Sequence, residues 1–188
     1  MTLGLWQTSR TNGMSDVIDN EGFRANVGIV LMRADGSVFL GRRARGGGWQ
    51  FPQGGVQTGE APEQSLYREL HEEIGLTQSD VELMGATRGW MRYRLPARYV
   101  RREQLPLCIG QKQRWYLLKL RVGAADFAFT STNEPEFDQC RWSGWWEPVR
   151  EVIFFKRPVY VKMLTELAPV AFPEGAPPLP AWWDEATA

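Results

Sequence analysis

The feature that most constrains the fold of this chain is an acidic segment bounded by glycines near residue 60. It begins at Gly54 and ends just after Gly75. Pro62 suits the first turn of a helix, because the N–H that proline lacks would have no partner there. Gly75 suits the position just past the end of a helix, where left-handed dihedrals are needed. The sequence therefore predicts a helix over residues 62–74, preceded by a glycine-containing loop.

Three carboxylates share one face of this predicted helix. Glu69, Glu72 and Glu73 stand at positions i, i+3 and i+4, so their side chains project together. A neighbouring apolar stripe would bury the helix, and it consists of Leu66, Leu70 and Ile74. Crowded carboxylates repel one another, and a hard divalent cation relieves that repulsion while also binding phosphate oxygens. The alternative interpretation is that this acidic face is merely solvated. The fixed spacing of the surrounding glycines and charged residues argues against it, namely Gly54, Glu60, Arg68 and Gly75.

The whole segment resembles the Nudix box. That family's pattern is Gly-x5-Glu-x7-Arg-Glu-U-x-Glu-Glu-x-Gly-U, where U is apolar, and GGVQTGEAPEQSLYRELHEEIGL over residues 54–76 fills every fixed position. The resemblance implies an α/β (α+β) architecture, the Nudix fold, in which a mixed β-sheet is sandwiched between α-helices. It also implies hydrolysis of a diphosphate linkage in a nucleotide-like substrate. The expected cofactor is Mg²⁺, with Mn²⁺ or another divalent cation as a substitute.

The resemblance also assigns roles to individual residues. The implied metal ligands are the backbone carbonyl of Gly54 and the carboxylates of Glu69, Glu72, Glu73 and Glu136. One carboxylate accepts the proton of the attacking water, and three candidates for this catalytic base remain open: Glu69, Glu73 and Glu136. Structural roles in the motif are expected for Glu60, Arg68 and Gly75.

The segments that flank the box resemble one group within the family. They are FRANVGIV over residues 23–30, WQFPQGG over 49–55, CIGQKQRW over 108–115, PEFD over 135–138 and FKR over 155–157. These segments are similar to bacterial RNA 5′-pyrophosphohydrolases, a group also described as dinucleoside polyphosphate hydrolases. The similarity covers residues 18–167. Ala25 is a departure, since the group's pattern has proline at that position.

The resemblance to this group implies a reaction and its alternatives. The expected activity is conversion of 5′-triphosphorylated, single-stranded RNA to 5′-monophosphorylated RNA, a step that would commit transcripts to decay. Asymmetric hydrolysis of a dinucleoside polyphosphate, diadenosine tetraphosphate, is the alternative. A noncatalytic RNA-binding Nudix module is a third interpretation, and the intact carboxylates at Glu69, Glu72 and Glu73 argue against it. The oligomeric state stays open.

A basic cluster that carries aromatic residues points to a phosphate-rich partner, although the formal net charge of the chain is zero. Its members are Arg88, Arg92, Arg94, Arg98, Arg101 and Arg102, interleaved with Trp90, Tyr93 and Tyr99 and followed by Lys112 and Arg114. Charge suits a phosphate backbone and flat rings suit unpaired bases, whereas a solvated basic loop is the alternative.

Six residues are the expected substrate contacts. Arg43, Lys112 and Lys156 are candidates for stabilising phosphate charge. The candidates for contacting the 5′-terminal bases are Arg24, Tyr93 and Phe155. For the two aromatic residues ordinary core packing is the alternative.

Apolar patterning divides the chain into one domain with two flanking segments. Strands are predicted at residues 26–32, 38–43, 81–88, 111–122 and 139–146, helices at 62–74 and 158–167, and a long loop between 88 and 111. The Nudix domain is expected to span residues 18–170, between a disordered leader at 1–17 and a Pro-rich flexible tail at 171–188. Since there is no membrane-length apolar stretch and no signal peptide, a cytoplasmic protein is expected.

Overall fold

The two longest strands, β1 (Phe23–Met32) and β7 (Gly110–Leu120), run parallel side by side in the computed structural model. The structure describes residues 17–44, 46, 48–121 and 135–184. The other strands are β2 (Val38–Arg43), β3 (Trp49–Gln50), β4 (Gln53–Gly55), β5 (Val81–Ala86), β6 (Met91–Arg94) and β8 (Phe137–Ser143). The helices are α1 (Pro62–Ile74), α2 (Pro148–Glu151) and α3 (Arg157–Ala171), with 3₁₀ turns at Gln78–Asp80, Ala97–Tyr99 and Phe154–Lys156.

All eight strands found in the described residues belong to one mixed sheet. Its main order is β3-β2-β1-β7-β5, and β4, β6 and β8 pair with β1, β7 and β2 respectively. Every pairing except that of β1 with β7 is antiparallel. None of the helices in the described residues has both the length and the apolar character that a membrane crossing requires.

Helices cover both faces of this sheet. Alternate residues of β1 point to opposite sides, so Ile29 and Leu31 pack with Leu70 of α1, whereas Val30 and Met32 belong to a second core. The α3 residues of the second core are Val159, Tyr160, Met163, Leu164, Leu167 and Ala168. The predicted architecture, a mixed sheet between helices, is confirmed.

The first helix begins and ends as the sequence predicts. Pro62 is its first residue, and the Gln64 side chain accepts a hydrogen bond from the Ala61 backbone N–H at 2.8 Å. Gly75 has a φ of 77°, and its N–H donates to the carbonyl of His71 at 3.0 Å. Because β4 pairs antiparallel with β1 and contacts α1, the glycine loop lies directly beside the acidic face of the helix.

The predicted long loop between residues 88 and 111 contains a strand that the sequence analysis missed. β6 pairs with β7 along its whole length, from Met91 opposite Gln113 to Arg94 opposite Gly110. Met91 and Tyr93 are buried, whereas the two arginines of the strand are exposed. The strand therefore has a period of two, but its charged residues led to the prediction of a loop.

Other element boundaries differ by a few residues. The fifth predicted strand begins at Phe137 and ends at Ser143, because the chain turns at Gly144 into the short helix α2. The second predicted helix extends to Arg157–Ala171. Val122, the last residue of a predicted strand, and residues 1–16 of the predicted leader lie outside the described residues.

The Pro-rich tail packs against the domain, whereas the sequence predicts a flexible segment. The ring of Trp183 meets that of Trp146 edge-on, with centroids 5.0 Å apart. Trp146 Nε1 donates to the carbonyl of Pro177 at 2.9 Å. Trp182 lies under the guanidinium of Arg150 at 5.3 Å. Trp182 and Trp183 thus provide an apolar contact surface, which the Pro-rich composition of the tail did not predict.

We predict that the docked tail contributes to stability. Trp183→Ala should lower the free energy of unfolding by about 1–3 kcal/mol, since the ring is half-buried and full burial of such a ring is worth more. Removing residues 173–188 should lower the melting temperature further. Leu179→Ala is the control, because this tail residue is 56% exposed and should change stability by less than about 0.5 kcal/mol. Equal melting temperatures for all variants in calorimetry would contradict the docking.

Candidate active site

A cleft of about 270 Å³ opens where β4 and α1 meet the ends of β6, β7 and β8. One wall is acidic and is formed by Glu69, Glu72, Glu73 and Glu136. The rest of the lining carries rings and basic side chains, among them Arg24, Tyr93, Tyr99 and Arg101. The cleft therefore joins a site for cations to a surface suited to nucleotides.

Arg68 binds the parts of the motif together. Its Nε and Nη2 donate to the two carboxylate oxygens of Glu60, at 2.8 and 2.9 Å. Its Nη2 also donates to the carbonyl of Gly55, and its Nη1 to Glu69 Oε1 at 2.6 Å and Glu72 Oε2 at 3.4 Å. One guanidinium thus links the loop, β4 and two of the candidate ligands.

Glu60 is the carboxylate of this network that stays ionised. Burial alone would raise its pKa, but hydrogen bonds from Arg68, the Ser65 hydroxyl and the Gln57 N–H outweigh burial and lower the pKa to about 2. Burial opposes the charge of Arg68 as well, yet its ion pairs with Glu60 and Glu69 raise its pKa. Both groups therefore stay charged across the physiological range, in keeping with the structural role expected for them.

Gly54 is required because the Glu69 carboxylate lies directly against its Cα. A Cβ at position 54 would overlap the carboxyl carbon and both oxygens of Glu69. Gly54 has no positive φ, so the requirement is close approach and not backbone conformation. The backbone of β4 and the carboxylate thus converge on one side of the cleft, as the sequence-implied metal ligands require.

Glu69 and Glu73 occupy an environment that disfavours their charge. Burial raises the pKa of Glu69 to about 7, although Arg68 acts against the shift. Burial also raises the pKa of Glu73 well above its usual value, and Glu69 and Glu136 add to the shift, whereas the Gln53 N–H, 2.9 Å from Oε2, opposes it. Several carboxylates therefore repel one another across a small space.

The chemistry of this donor set fits a divalent cation. Carboxylate oxygens that crowd together beside a backbone strand are hard ligands, and added positive charge would relieve their repulsion. Within the described residues, however, no three of these side chains converge on one ready-made coordination point. Arg68 holds Glu69 and Glu72, while Arg43 Nε donates to Glu136 Oε1 at 3.0 Å. A bound ion would have to compete with these arginines for carboxylate oxygens.

The structure brings five of the six predicted substrate contacts to the cleft or its immediate surroundings. Arg24, Arg43 and Tyr93 line it directly. Phe155 packs on Tyr93 with ring centroids 5.7 Å apart. Lys156 is buried beneath the floor, where burial, and then the charge of Arg43, lower its pKa to about 7.

Lys112, the sixth predicted contact, does not line the cleft. It pairs with Asp19 at 2.9 Å and lies over the ring of Trp90, outside the residues that line the cleft. The physical reason is strand alternation, because Gln111 and Gln113 on either side of it point to the cleft-side face of β7. The same alternation places Arg92 of β6, which lies opposite Lys112, on the face of the sheet away from the cleft.

The sequence analysis missed the amide side chains in the floor of the cleft. Gln113 is fully buried, and its Nε2 lies 3.2 Å from Asn26 Oδ1 and 3.3 Å from both Gln53 Oε1 and Gln111 Oε1. Lys156 Nζ lies 3.2 Å from the side-chain oxygens of both Gln50 and Gln53. No local pattern distinguishes Gln111 and Gln113, because residues 111–114 of β7 are all polar.

The sequence matches the NUDIX domain family over residues 22–167. The chain belongs to the Nudix family. It is 55% identical over 157 residues to an RNA pyrophosphohydrolase of Pseudoalteromonas translucida, covering 84% of this chain and 91% of the relative. It is 52% identical over 164 residues to an RNA pyrophosphohydrolase of Alkalilimnicola ehrlichii, covering 87% and 91%. An RNA pyrophosphohydrolase of Xanthomonas oryzae is 56% identical over 155 residues, covering 82% and 76%.

Solved structures support the Nudix fold. The dihydroneopterin triphosphate pyrophosphohydrolase of E. coli superposes with a TM-score of 0.60 at 18% identity, covering 75% of this chain and 94% of the other. An Ap4A hydrolase of C. elegans gives a TM-score of 0.52 at 16% identity, covering 73% and 92%. Nudix hydrolases act on pyrophosphate bonds and generally use divalent cations, so the class of the enzyme follows from its family.

We predict that Gly54→Ala separates folding from activity. The added methyl group meets the end of a flexible Glu69 side chain, so stability should fall by only about 1–3 kcal/mol. The displaced carboxylate should lower kcat far more than the loss of folded protein explains. Gly89→Ala is the matched control, because a Cβ there meets no atom within 4 Å. A folded Gly54→Ala enzyme with normal kcat would show that the position of Glu69 is unimportant.

We predict that the metal-free protein loses stability as the pH rises from about 5 to 7. Glu69 and Glu73 have raised pKa values in the folded state, so their contribution is complete below the unfolded value of 4.5 and is lost as the pH rises through the folded pKa. Glu60 acts in the opposite direction, but only as the pH falls from 4.5 towards about 2.

Thermal unfolding in a chelator at several pH values measures this effect. Glu73→Gln should flatten the fall in melting temperature, whereas Glu63→Gln, an exposed residue of the same helix, should leave the slope unchanged. A melting temperature that rises steadily between pH 5 and 7 would be incompatible with the raised pKa values.

Proposed function

We propose that this enzyme is a Mg²⁺-dependent RNA 5′-pyrophosphohydrolase that converts a 5′-triphosphate into a 5′-monophosphate. The observation that carries the proposal is the continuity of the cleft, which runs from four carboxylates to a wall containing Tyr93, Tyr99 and Arg101. A terminal triphosphate would lie against the acidic end, and the attached nucleotides would lie along the rings and arginines. The product of the reaction would be 5′-monophosphorylated RNA, the form that commits transcripts to decay.

The relatives favour RNA over a dinucleoside polyphosphate. Three relatives named RNA pyrophosphohydrolase share 52–56% identity with this chain over more than 80% of its length. The structural neighbour named Ap4A hydrolase is 16% identical, so it supports only a common fold. Hydrolysis of diadenosine tetraphosphate is therefore the secondary candidate for the same site.

Five groups of this chain are the proposed ligands for Mg²⁺. They are the carbonyl of Gly54 and the carboxylates of Glu69, Glu72, Glu73 and Glu136. When bound, such an ion supplies positive charge that neutralises phosphate oxygens and acidifies water. Because Arg68 already neutralises part of this acidic wall, its ion pairs keep the carboxylates in place before the substrate arrives.

The base that accepts the proton of the attacking water is Glu69, Glu73 or Glu136. A general base works best when its pKa is near the working pH. In the metal-free protein burial raises the pKa of Glu69 to about 7 and shifts that of Glu73 in the same direction, so either carboxylate can hold a proton. Glu136 remains a candidate because it lines the same cleft and is coupled electrostatically to Glu73.

The substrate is held by groups on the other walls. Arg24 and Arg43 line the cleft, where their guanidinium groups can stabilise the negative charge of the triphosphate. Lys156, whose pKa of about 7 leaves it partly charged at neutral pH, adds positive potential from beneath the floor and orients the Gln53 side chain. Tyr93, supported by Phe155, offers a flat surface to a 5′-terminal base.

A side-by-side assay tests this function. We expect the purified enzyme to release phosphate or pyrophosphate from 5′-triphosphorylated RNA with a higher kcat/KM than from diadenosine tetraphosphate or free nucleoside triphosphates. A chelator should abolish the reaction and Mg²⁺ should restore it. Faster hydrolysis of diadenosine tetraphosphate would favour the secondary candidate. Tight RNA binding without hydrolysis would favour a noncatalytic module.

Glutamine variants test the proposed ligands. Glu72→Gln and Glu73→Gln should each lower kcat by at least about a hundredfold, because each removes a charge from the site where phosphate charge must be balanced. Glu63→Gln lies on the exposed side of the same helix and is the matched control. Near-normal turnover of both Glu72→Gln and Glu73→Gln at limiting Mg²⁺ would refute the ligand assignment.

A further inference from the structure

Gln113 is a buried amide of β7 that lies beneath the floor of the cleft. Its side chain is fully buried, and it is not among the described residues that line the cleft. Its Nε2 lies 3.2 Å from Asn26 Oδ1 and 3.3 Å from both Gln53 Oε1 and Gln111 Oε1, and these three partners do line the cleft. Gln113 can therefore affect a substrate only through the side chains above it.

The surroundings of this amide are poor for stability. Burying an amide costs free energy unless its polar atoms are hydrogen-bonded. Within the residues that the structure describes, no donor reaches Gln113 Oε1, and the two hydrogens of Nε2 face three acceptors. Turning the amide over would set its oxygen against those three oxygens. An apolar side chain at this position would avoid these costs, which indicates that the donors of Gln113 serve the site and not the fold.

Gln53 connects this amide to the acidic wall. Its Oε1 accepts a hydrogen bond from Gln113 Nε2 and another from Lys156 Nζ, which lies 3.2 Å away. The backbone N–H of Gln53 donates to Glu73 Oε2 at 2.9 Å. Because β4 has only three residues, the side-chain bonds of its first residue help to fix the direction of this N–H.

We propose that Gln113 is a positioning residue, which holds Gln53 and, through the backbone N–H of Gln53, the Glu73 carboxylate in the arrangement that hydrolysis requires. Since Glu69 and Glu136 repel Glu73, a fixed donor on β4 is needed to keep this carboxylate in place. The inference rests on the role proposed above for Glu73 as a metal ligand and candidate base, and it names a residue outside the cleft that this role depends on.

Hydrogen exchange tests the link between Gln113 and Gln53 without turnover. Gln113→Met and Gln113→Leu remove the donors while keeping a side chain in the core. In a chelator, NMR should show that the Gln53 N–H exchanges at least about tenfold faster in both variants, relative to the Val56 N–H. The Val56 N–H is the internal reference because it donates to the carbonyl of Ala25, at 3.0 Å, just beyond the end of β4.

Steady-state kinetics tests the link to the chemistry. With 5′-triphosphorylated RNA, Gln113→Met should lower kcat by at least about tenfold and change KM by less than about threefold, because it misplaces a reacting group without touching the substrate. If Gln113 acts through Gln53, the two substitutions cannot be additive. The double variant Gln53→Met/Gln113→Met should therefore have the same kcat as Gln53→Met.

Thr87→Val is the matched control. Thr87 is 1% exposed, and its hydroxyl accepts a hydrogen bond at 3.1 Å from the N–H of Trp115, two residues from Gln113 on β7. This variant removes a buried hydrogen bond from the same strand without touching Gln53. It should lower the melting temperature and leave both kcat and the ratio of the two exchange rates unchanged.

Either of two results would overturn the proposal. One is an unchanged ratio of the Gln53 and Val56 exchange rates in both Gln113 variants. The other is a loss of kcat on Gln113→Met that is absent in the wild-type background or equally large in the Gln53→Met background. Failure of the proposed function looks different, because the wild-type enzyme would then not hydrolyse 5′-triphosphorylated RNA, whereas exchange of the Gln53 N–H would still depend on Gln113.

Discussion

The pairing of Arg68 with Glu60 is the interaction on which the rest of the site depends. It is charge-assisted and bidentate, and additional hydrogen bonds to Glu60 from Ser65 and Gln57 keep its partner ionised. The same guanidinium reaches the carbonyl of Gly55 and the Glu69 carboxylate. Because one rigid cation spans loop, strand and helix, the acidic wall can be held in place although its members repel one another.

The sequence allowed the acidic wall to be predicted because a fixed helical spacing determines which side chains share a face. Glu69 and Glu73, four residues apart, must project together on any helix. The helix and the family were within reach of this reasoning. The mixed sheet and the place of Glu136 in the acidic wall were implied only by the family resemblance, because both depend on contacts between distant segments.

The remaining lining of the cleft was harder to predict, because long-range strand pairing decides which side chains face it. Lys112 seemed equivalent to its neighbours in a basic segment, but its strand register sends it to Asp19 on the far side of the sheet. Gln113 owes its place to contact with Asn26, which is 87 residues away in sequence. The docking of Trp183 on Trp146 likewise joins segments that no local pattern connects.

The parallel pairing of β1 with β7 has a consequence for how the chain is made. Phe23 lies opposite Gly110, so the central strand of the sheet lacks its longest neighbour until residues 110–120 have been synthesised. At typical translation rates of about 5–20 residues per second, the apolar strand β1 emerges several seconds before that partner. During this interval β2 and β4 can cover only one edge of β1, and the edge that β7 will occupy has no strand beside it. The sheet of this enzyme is therefore completed late in synthesis. The nascent chain is most prone to aggregation while β1 has emerged and β7 has not.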